Sequence, residues 1–227
     1  MSYPMNLTGK EILVVGLSTG LDKAITDRIG DLGGVCTIQN NTDISVVEKN
    51  IKTLVQLHGG FDGVVFTIVH SDFRPLQFVK PDNVRMIMND NFEVFIEVIR
   101  SLKKNKGLNP GASVVALSSI SSVRAMKAKM AFCASKAALD AAVRCLAVEL
   151  ADSGIRVNSV QKGIVDADLE KSHIQDVMSI KGAEETAKQP LGVCRTEDIA
   201  NAVAFLLSDA VKTMTGTSLV IDGGYLA

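Results

Sequence analysis

Short apolar runs alternate along the whole chain with longer stretches of helical periodicity. The runs "EILVVGL", "VCTIQ", "DGVVFTIV" and "SVVALSS" are each followed by a segment in which apolar residues recur every three or four positions. The series closes with "RVNSVQ", a helix near 196–208 and "SLVIDGG". Strand followed by helix throughout predicts parallel strands with right-handed crossovers, and continuous apolar strands indicate a sheet covered on both faces. We therefore predict one α/β domain over residues 1–227, a doubly wound parallel sheet of six or seven strands.

Two segments depart from this regular alternation. Between "VCTIQ" and the helix that begins near Asp43 only "NNT" intervenes, which is too short for a further helix and strand. The sheet is therefore predicted to be shortened after its second strand. Residues 164–195 contain no clear strand. Because open α/β sheets bind ligands at the carboxyl ends of their strands, we interpret 164–195 as a candidate substrate lid.

Charge and composition exclude several classes of partner. Twenty-four basic residues against 25 acidic ones give a net charge of -1, so no general attraction to nucleic acid or to an anionic membrane is expected. The apolar runs are far shorter than the roughly 20 residues of a membrane span, and the N-terminus lacks the order of a signal peptide. We expect a cytoplasmic protein. The four cysteines lack metal-ligand spacing, so neither a metal nor a disulfide is predicted.

A glycine-containing turn follows the first predicted strand. In "GLSTGLDKAITDRIG", Gly16 and Gly20 open a helix, where glycine lets the backbone approach a phosphate and the free amides carry partial positive charge. An ordinary strand-turn-helix connection explains this stretch equally well. Four further stretches occur in a fixed order after it: "MNDNFEVF", "VVALSSISS", "AFCASKAAL", and "RVNSVQKG" with the terminal "LVIDGG".

Together these stretches resemble the classical short-chain dehydrogenase/reductase family, nearly from end to end. The resemblance implies a Rossmann-like fold, NAD or NADP as cofactor, and hydride transfer on a small carbonyl or alcohol substrate. The family's catalytic asparagine, serine and lysine correspond to Asn91, Ser119 and Lys136, and the tyrosine of its YxxxK motif corresponds to Phe132. In the family the tyrosine exchanges a proton with the substrate oxygen, the serine hydrogen-bonds that oxygen, and the lysine binds the nicotinamide ribose. The asparagine anchors a water that links the lysine to solvent.

Phe132 has no hydroxyl, so the proton must come from another group. Loss of a positioned acid typically costs about 10²- to 10⁴-fold in rate. The sequence therefore predicts weak activity or a substitute acid. His70 lies at the end of a predicted strand near the expected site and suits proton transfer near neutral pH, although a surface histidine is an alternative interpretation. Asn91 could equally bond main chain at a helix kink, and Ser119 and Lys136 could be structural.

The cofactor site implied by the resemblance contains both matches and departures. Asp22 replaces the third glycine of the family's TGxxxGxG pattern, and Val15 its threonine. A carboxylate there stabilises the helix N-terminus without a ligand and would repel a pyrophosphate. Neither an acidic residue nor an arginine follows "VCTIQ" where it would distinguish NAD from NADP. The positions that the resemblance assigns to the cofactor are Gly16, Ser18, Thr19, Gly20, Leu21, Asp43, Lys136, Gly163 and Val165.

Three other cofactor-site positions also differ from the family pattern. The family's NNAG reads Phe66 to Val69, whose bulk we expect to intrude toward the cofactor. The proline before Gly163 is Lys162, and the threonine that holds the carboxamide is Ala167. These departures put dinucleotide binding in question.

A helix of small residues bears on assembly. The predicted helix from 131 to 152 carries alanines that would let another helix approach closely, although packing on its own sheet explains them too. In the resembled family this helix pairs across a two-fold axis, which implies a homotetramer or a dimer.

Three functions remain open on the sequence alone. The first is a nicotinamide-dependent oxidoreductase of the short-chain type, weak or with a substitute acid. The second is a non-catalytic scaffold or regulatory subunit, suggested by the joint loss of the phenol and of a cofactor-site glycine. The third is a non-redox isomerase, cyclase or lyase that keeps Ser119.

Overall fold

A computed structural model describes residues 5–16, 19–166 and 186–227, and this part of the chain contains one parallel sheet. Its strand order is β2-β1-β3-β4-β5-β6, with every pair parallel. This confirms the predicted doubly wound α/β architecture. The strands are β1 (Glu11–Val15), β2 (Val35–Gln39), β3 (Phe61–Phe66), β4 (Leu108–Ser119), β5 (Arg156–Lys162) and β6 (Ser218–Ile221). The α-helices are α1 (Gly20–Asp31), α2 (Ile44–His58), α3 (Pro81–Met88), α4 (Val94–Lys104), α5 (Met130–Glu149) and α6 (Thr196–Leu207).

Helices cover both faces of the sheet, so the core has two layers. Val114 and Ala116 of β4 pack toward one layer, which includes buried residues of α2, α4 and α5. Val115 and Leu117, which alternate with them, pack toward the other layer with residues of α1 and α6. Because successive side chains of a strand point to opposite faces, a strand buried on both faces favours apolar residues at every position. This is why β1 and β3 read as largely apolar runs, whereas the buried strand β5 carries several polar side chains.

The sheet ends at β2, as the short connection predicts. The chain leaves β2, enters α2 after four residues and returns to β3, which pairs with β1 on its other side. No described strand lies beyond β2, and Val35 and Ile38 are 53% and 55% exposed. The predicted shortening after the second strand is therefore confirmed.

A π-helical turn interrupts the helical region between β3 and β4. Asn89–Glu93 forms this turn between α3 and α4 and contains the fully buried Asn91. Wide turns of this kind occur mostly as single turns inside α-helices, often at functional sites. Here the turn brings Asn91 inward, toward α5 and the segment after β3.

Most of the candidate lid lies outside the described residues. The structure describes its two ends, where Val165 and Cys194 form an isolated parallel bridge. Residues 167–185, which include Ala167, are not described, so the lid stays a prediction. Within the described ranges, no helix combines the length and apolar character needed to cross a membrane.

Candidate active site

Lys136 is a fully buried lysine on α5 that points to the carboxyl ends of two neighbouring strands. Its Nζ donates hydrogen bonds to the carbonyl of Leu117 in β4, at 2.9 Å, and to that of Ile68 just after β3, at 3.4 Å. The pKa of Lys136 is lowered to about 7, chiefly by burial and also by the nearby charge of Lys162, while Asp140 opposes both. The lysine can therefore gain or lose a proton near neutral pH.

Ser119 ends β4 beside this lysine. Its side chain is nearly buried, and its Oγ accepts a hydrogen bond from the amide of Ser121 at 3.2 Å. Lys162, the last residue of β5, is its register partner on the neighbouring strand. Ser119 and Lys162 thus lie side by side at the carboxyl edge of the sheet, where open α/β sheets bind ligands.

Phe132 lies one helical turn before Lys136 on the same face of α5, as their spacing predicts. The ring is 6% exposed, and the Lys129 ammonium lies 5.6 Å from its centroid. A phenyl ring fills this space and excludes water. It has no proton to give to a substrate oxygen.

Asn91 links the segment after β3 to α5 through its side chain. Its Nδ2 donates to the carbonyl of His70 at 2.8 Å and to Oγ of Ser135 at 2.9 Å, and its Oδ1 accepts from the His70 amide at 2.7 Å. This is the main-chain bonding at a helix kink that the sequence left as an alternative. The side-chain amide of Asn91 therefore positions other residues.

His70 forms a carboxylate–imidazole pair that was not predicted. Its Nδ1 lies 2.7 Å from Oδ2 of Asp90, and Oδ1 of Asp90 accepts from Nδ2 of Asn89 at 2.9 Å. Because an ionised carboxylate only accepts, Nδ1 carries the hydrogen of a neutral ring and Nε2 is left as the acceptor. The side chain of His70 is 32% exposed. In the sequence, Asp90 gave no sign of this contact except that it precedes Asn91.

The turn after β1 is close-packed around Gly16. A Cβ on Gly16 would lie 2.3 Å from Oγ1 of Thr67 and 3.0 Å from the carboxyl group of Asp22. Thr19 caps α1, and in a capping box the Thr19 amide donates to Oδ2 of Asp22 at 2.7 Å while the Asp22 amide donates to Thr19 Oγ1 at 3.4 Å. Asp22 is 6% exposed. The N-terminus of α1 thus already carries a carboxylate of its own, bonded to the Thr19 amide.

Other predicted cofactor positions serve local structure. Gly20 is the first residue of α1, and Leu21 is buried in the core beneath that helix. Asp43 caps α2 by accepting hydrogen bonds from Oγ and the amide of Ser45, which lower the pKa of Asp43. Ser18 lies outside the described residues.

Gly163 lies at a tight crossing after β5. A Cβ there would come 2.7 Å from Oε1 of Gln189 and 2.8 Å from Cα of Asp222, so the crossing admits only glycine without movement. Gln189 is buried, accepts from the Ile164 amide at 2.6 Å and donates to the Gly192 carbonyl at 2.9 Å. Val165 is fully buried two residues after Gly163. The sequence offered no sign of the role of Gln189, which depends on contacts 25 residues apart.

The bulky residues at the end of β3 do not enter the crevice, so that expectation was wrong for Phe66 and Ile68. Both are buried in the core layer formed with α2, α4 and α5, where Phe66 contacts Phe95 edge to face at 5.3 Å. Thr67 alternates with them, and its Oγ1 donates to the Val15 carbonyl at 3.3 Å.

The arrangement fits the nicotinamide end of a dinucleotide better than its pyrophosphate. Lys136 and Ser119 lie together at the strand ends, and the close-packed glycines 16 and 163 bring backbone to the same edge. Asp22 places a negative charge at the helix N-terminus that would otherwise attract a phosphate. Among the described residues, no group of histidine, cysteine, aspartate or glutamate side chains is placed to hold a metal ion.

Comparison with known proteins gives matches over nearly the whole chain. The profile of a family described as enoyl-(acyl carrier protein) reductase matches residues 5–226. An L-xylulose reductase of Caenorhabditis elegans is 39% identical over 97% of both chains. A D-erythrulose reductase of Gallus gallus is 27% identical over 100% of this chain and 99% of its own. A crystal structure of a short-chain dehydrogenase family protein from Francisella tularensis superposes with a TM-score of 0.83 at 26% identity, covering 96% of this chain and 98% of that one.

Proposed function

Because the chain belongs to the short-chain dehydrogenase/reductase family, we propose that it is an oxidoreductase that transfers hydride between a nicotinamide dinucleotide and a small carbonyl or alcohol substrate. The substrate proton in this proposal comes from a group other than a tyrosine. At the end of β2 the side-chain amide of Gln39 donates a hydrogen bond to the Asn41 carbonyl. This uncharged end of the strand is compatible with both NAD and NADP. The reaction would take place in the cytoplasm, in a homodimer or homotetramer.

The burial of Lys136 is the observation that carries the proposal. A lysine that is fully removed from water, with its Nζ on two backbone carbonyls, costs folding free energy that an apolar side chain of similar size would not. Its position one turn from Phe132, with its Nζ on the strand that ends at Ser119, supports this proposal. A chain that used the fold for assembly alone would gain nothing from this buried ammonium.

The residues of this chain have distinct tasks in the proposed reaction. A bound nicotinamide ring would supply or accept the hydride. Lys136 would hold the ribose hydroxyls beside it, and Ser119 Oγ would donate a hydrogen bond to the substrate oxygen and stabilise the charge that develops there. Phe132 would exclude water from the same space. The names of the relatives from Caenorhabditis elegans and Gallus gallus support a small polyhydroxylated ketone as substrate.

A non-catalytic role is the second candidate, favoured by Asp22. Its carboxylate occupies the N-terminus of α1, where a pyrophosphate would bind, and the phenol is absent from the same crevice. A scaffold or regulatory subunit would tolerate both changes. No contact in the described part of the chain favours the isomerase, cyclase or lyase alternative.

Titration with NADH and NADPH separates these candidates. Nicotinamide fluorescence and thermal unfolding are followed together for the wild type, for Phe132→Tyr, and for Phe78→Tyr as a control at an exposed ring. The proposal expects saturable binding in all three. It also expects an increase in ketose reduction by Phe132→Tyr alone, because the phenol returns beside Lys136 and adds to the substitute acid. Absence of binding at millimolar cofactor would favour the scaffold.

A further inference from the structure

We propose that His70 and Asp90 form the acid/base that Phe132 cannot provide. In this proposal Nε2 of His70 exchanges the proton with the substrate oxygen, and Asp90 positions the imidazole. The inference rests on the proposed oxidoreductase function and names the residue that completes it.

The imidazole lies at the same edge of the sheet as the candidate site. Ile68, two residues before His70, accepts the hydrogen bond from Lys136 Nζ. The strand that precedes it, β3, is paired with β4, which ends at Ser119. About a third of the His70 side chain is exposed, and since Nδ1 is engaged by Asp90, Nε2 is the ring nitrogen left to contact a ligand.

The histidine is held at three points, which is more than a surface loop residue needs. Both its amide and its carbonyl are bonded to the Asn91 side chain, at 2.7 and 2.8 Å. Asp90 holds Nδ1 at 2.7 Å and is itself held by Asn89. Asn91 also binds Ser135 Oγ, which donates to the Phe132 carbonyl at 2.8 Å. The main chain of His70 is thereby tied to the turn of α5 that carries Phe132, while Asp90 holds the imidazole.

Stability alone does not account for the pair. Partly exposed ion pairs contribute only about 0 to 1 kcal/mol to folding, and both side chains here are partly exposed. A carboxylate that holds Nδ1–H is, in contrast, the arrangement that fixes the tautomer of a catalytic imidazole.

The proton transfer balances in both directions. In reduction, the carbonyl carbon forms a C–H bond with a hydride from the reduced nicotinamide, and the π electron pair of the carbonyl moves to oxygen. That oxygen takes the proton from Nε2 of the imidazolium, and the N–H electron pair stays on the ring. The neutral imidazole keeps its Nδ1–H on Asp90 and regains a proton from solvent. In oxidation, Nε2 would accept the alcohol proton while the hydride leaves the carbon for the oxidised nicotinamide.

Three variants test the proposal in the full-length protein. His70→Gln should lower kcat for ketose reduction by about 10²- to 10³-fold with little change in cofactor affinity, because a general acid is lost. Asp90→Asn should lower kcat by about 10-fold or more, because the asparagine NH₂ can donate to Nδ1 and so favour the Nε2–H tautomer. His58→Gln is the matched control, since His58 is exposed at the end of α2.

Rescue distinguishes catalysis from a structural role. Phe132→Tyr in the His70→Gln background should restore turnover, because the phenol beside Lys136 replaces the lost acid. A purely structural histidine would not be rescued in this way. The chain has three histidines, so ¹⁵N spectra of the imidazoles can be assigned with single variants. We expect the Nδ1–H tautomer for neutral His70 in the wild type and a mixture in Asp90→Asn.

The outcomes that would overturn the dyad differ from the one that would overturn the proposed function. Unchanged kcat in His70→Gln, no rescue by Phe132→Tyr, or an Nε2–H tautomer in the wild type would each overturn the dyad and leave the oxidoreductase function standing. A wild type that reduces no ketose with either cofactor would overturn the proposed function, and the dyad with it. If His70→Gln does not fold, Asp90→Asn and the tautomer measurement decide.

Discussion

Replacement of Asp22 should change cofactor affinity and protein stability in opposite directions. Its nearly buried carboxylate accepts the Thr19 amide at the N-terminus of α1, where a dinucleotide would place its pyrophosphate. For one phosphate charge about 6 Å away, Coulomb repulsion costs about 0.7 to 3 kcal/mol at effective dielectric constants of about 80 to 20. Removing the charge should therefore tighten NADH or NADPH binding by about 3- to 100-fold.

The cost to folding follows from the capping box. Asp22→Gly removes the bond to Thr19, the favourable charge at the helix N-terminus and a side chain inside a helix, so the free energy of unfolding should fall by about 1 to 2 kcal/mol. Asp22→Asn retains an oxygen for the Thr19 amide and loses only the charge. It should gain affinity with a smaller loss of stability.

Fluorescence titration and urea unfolding of the same samples measure both effects. Asp27→Asn is the control, because it removes one negative charge from the exposed side of α1, where Asp27 pairs with Lys23. Equal affinity of Asp22→Asn and Asp27→Asn would refute the repulsion argument. A gain in affinity for Asp22→Gly without one for Asp22→Asn would show that space at this position, and not charge, limits binding.

Three further outcomes are expected. Lys136 has a pKa of about 7 in the folded protein, whereas in the unfolded chain it keeps its proton up to about pH 10. Between these pH values the free energy of unfolding of the wild type should therefore rise, relative to Lys136→Met, by about 1.4 kcal/mol per pH unit. A difference in urea unfolding that stays constant with pH would contradict this. Gly16→Ala should lower the free energy of unfolding by about 1 to 3 kcal/mol, because its Cβ meets Thr67, whereas Gly30→Ala, with open space in α1, should raise it by about 0.5 to 1 kcal/mol. Light scattering at micromolar concentration should give a dimer or tetramer mass, and a monomer mass would reject the proposed assembly.

Local patterns in the sequence were sufficient to predict most of the secondary structure. The run "VCTIQ" coincides with β2, and the helix predicted after the first glycine-containing turn begins at Gly20. The π-helical turn at Asn89–Glu93 was not predicted, because its sequence, "NDNFE", carries no local signal that distinguishes a wide turn from an ordinary helical one. It is a response to tertiary contacts, chiefly those of Asn91 with the segment after β3 and with α5.

The candidate site was predictable where it followed motif positions and not where it depended on distant pairs. Phe132 and Lys136 lie one turn apart on α5, and Lys136 bonds the strand that ends at Ser119; their catalytic assignment stays a prediction. The contact of Asp90 with His70 and that of Gln189 with Ile164 join residues 20 and 25 positions apart, through loops whose course the sequence does not state. The expectation for Phe66 was wrong because alternate residues at the end of a strand face the core and the crevice, and the sequence does not state which of them faces the core.

The position of β2 at the edge of the sheet determines how ligand affinity would be distributed along a dinucleotide. The adenosine end lies over the second strand in folds of this type, and here no described strand or helix continues the wall beyond it. That end would stay largely in water and bury little area. Most of the binding free energy would then come from the nicotinamide half of the dinucleotide. Reduced nicotinamide mononucleotide should accordingly bind almost as tightly as the complete cofactor, and a 2′-phosphate should matter little.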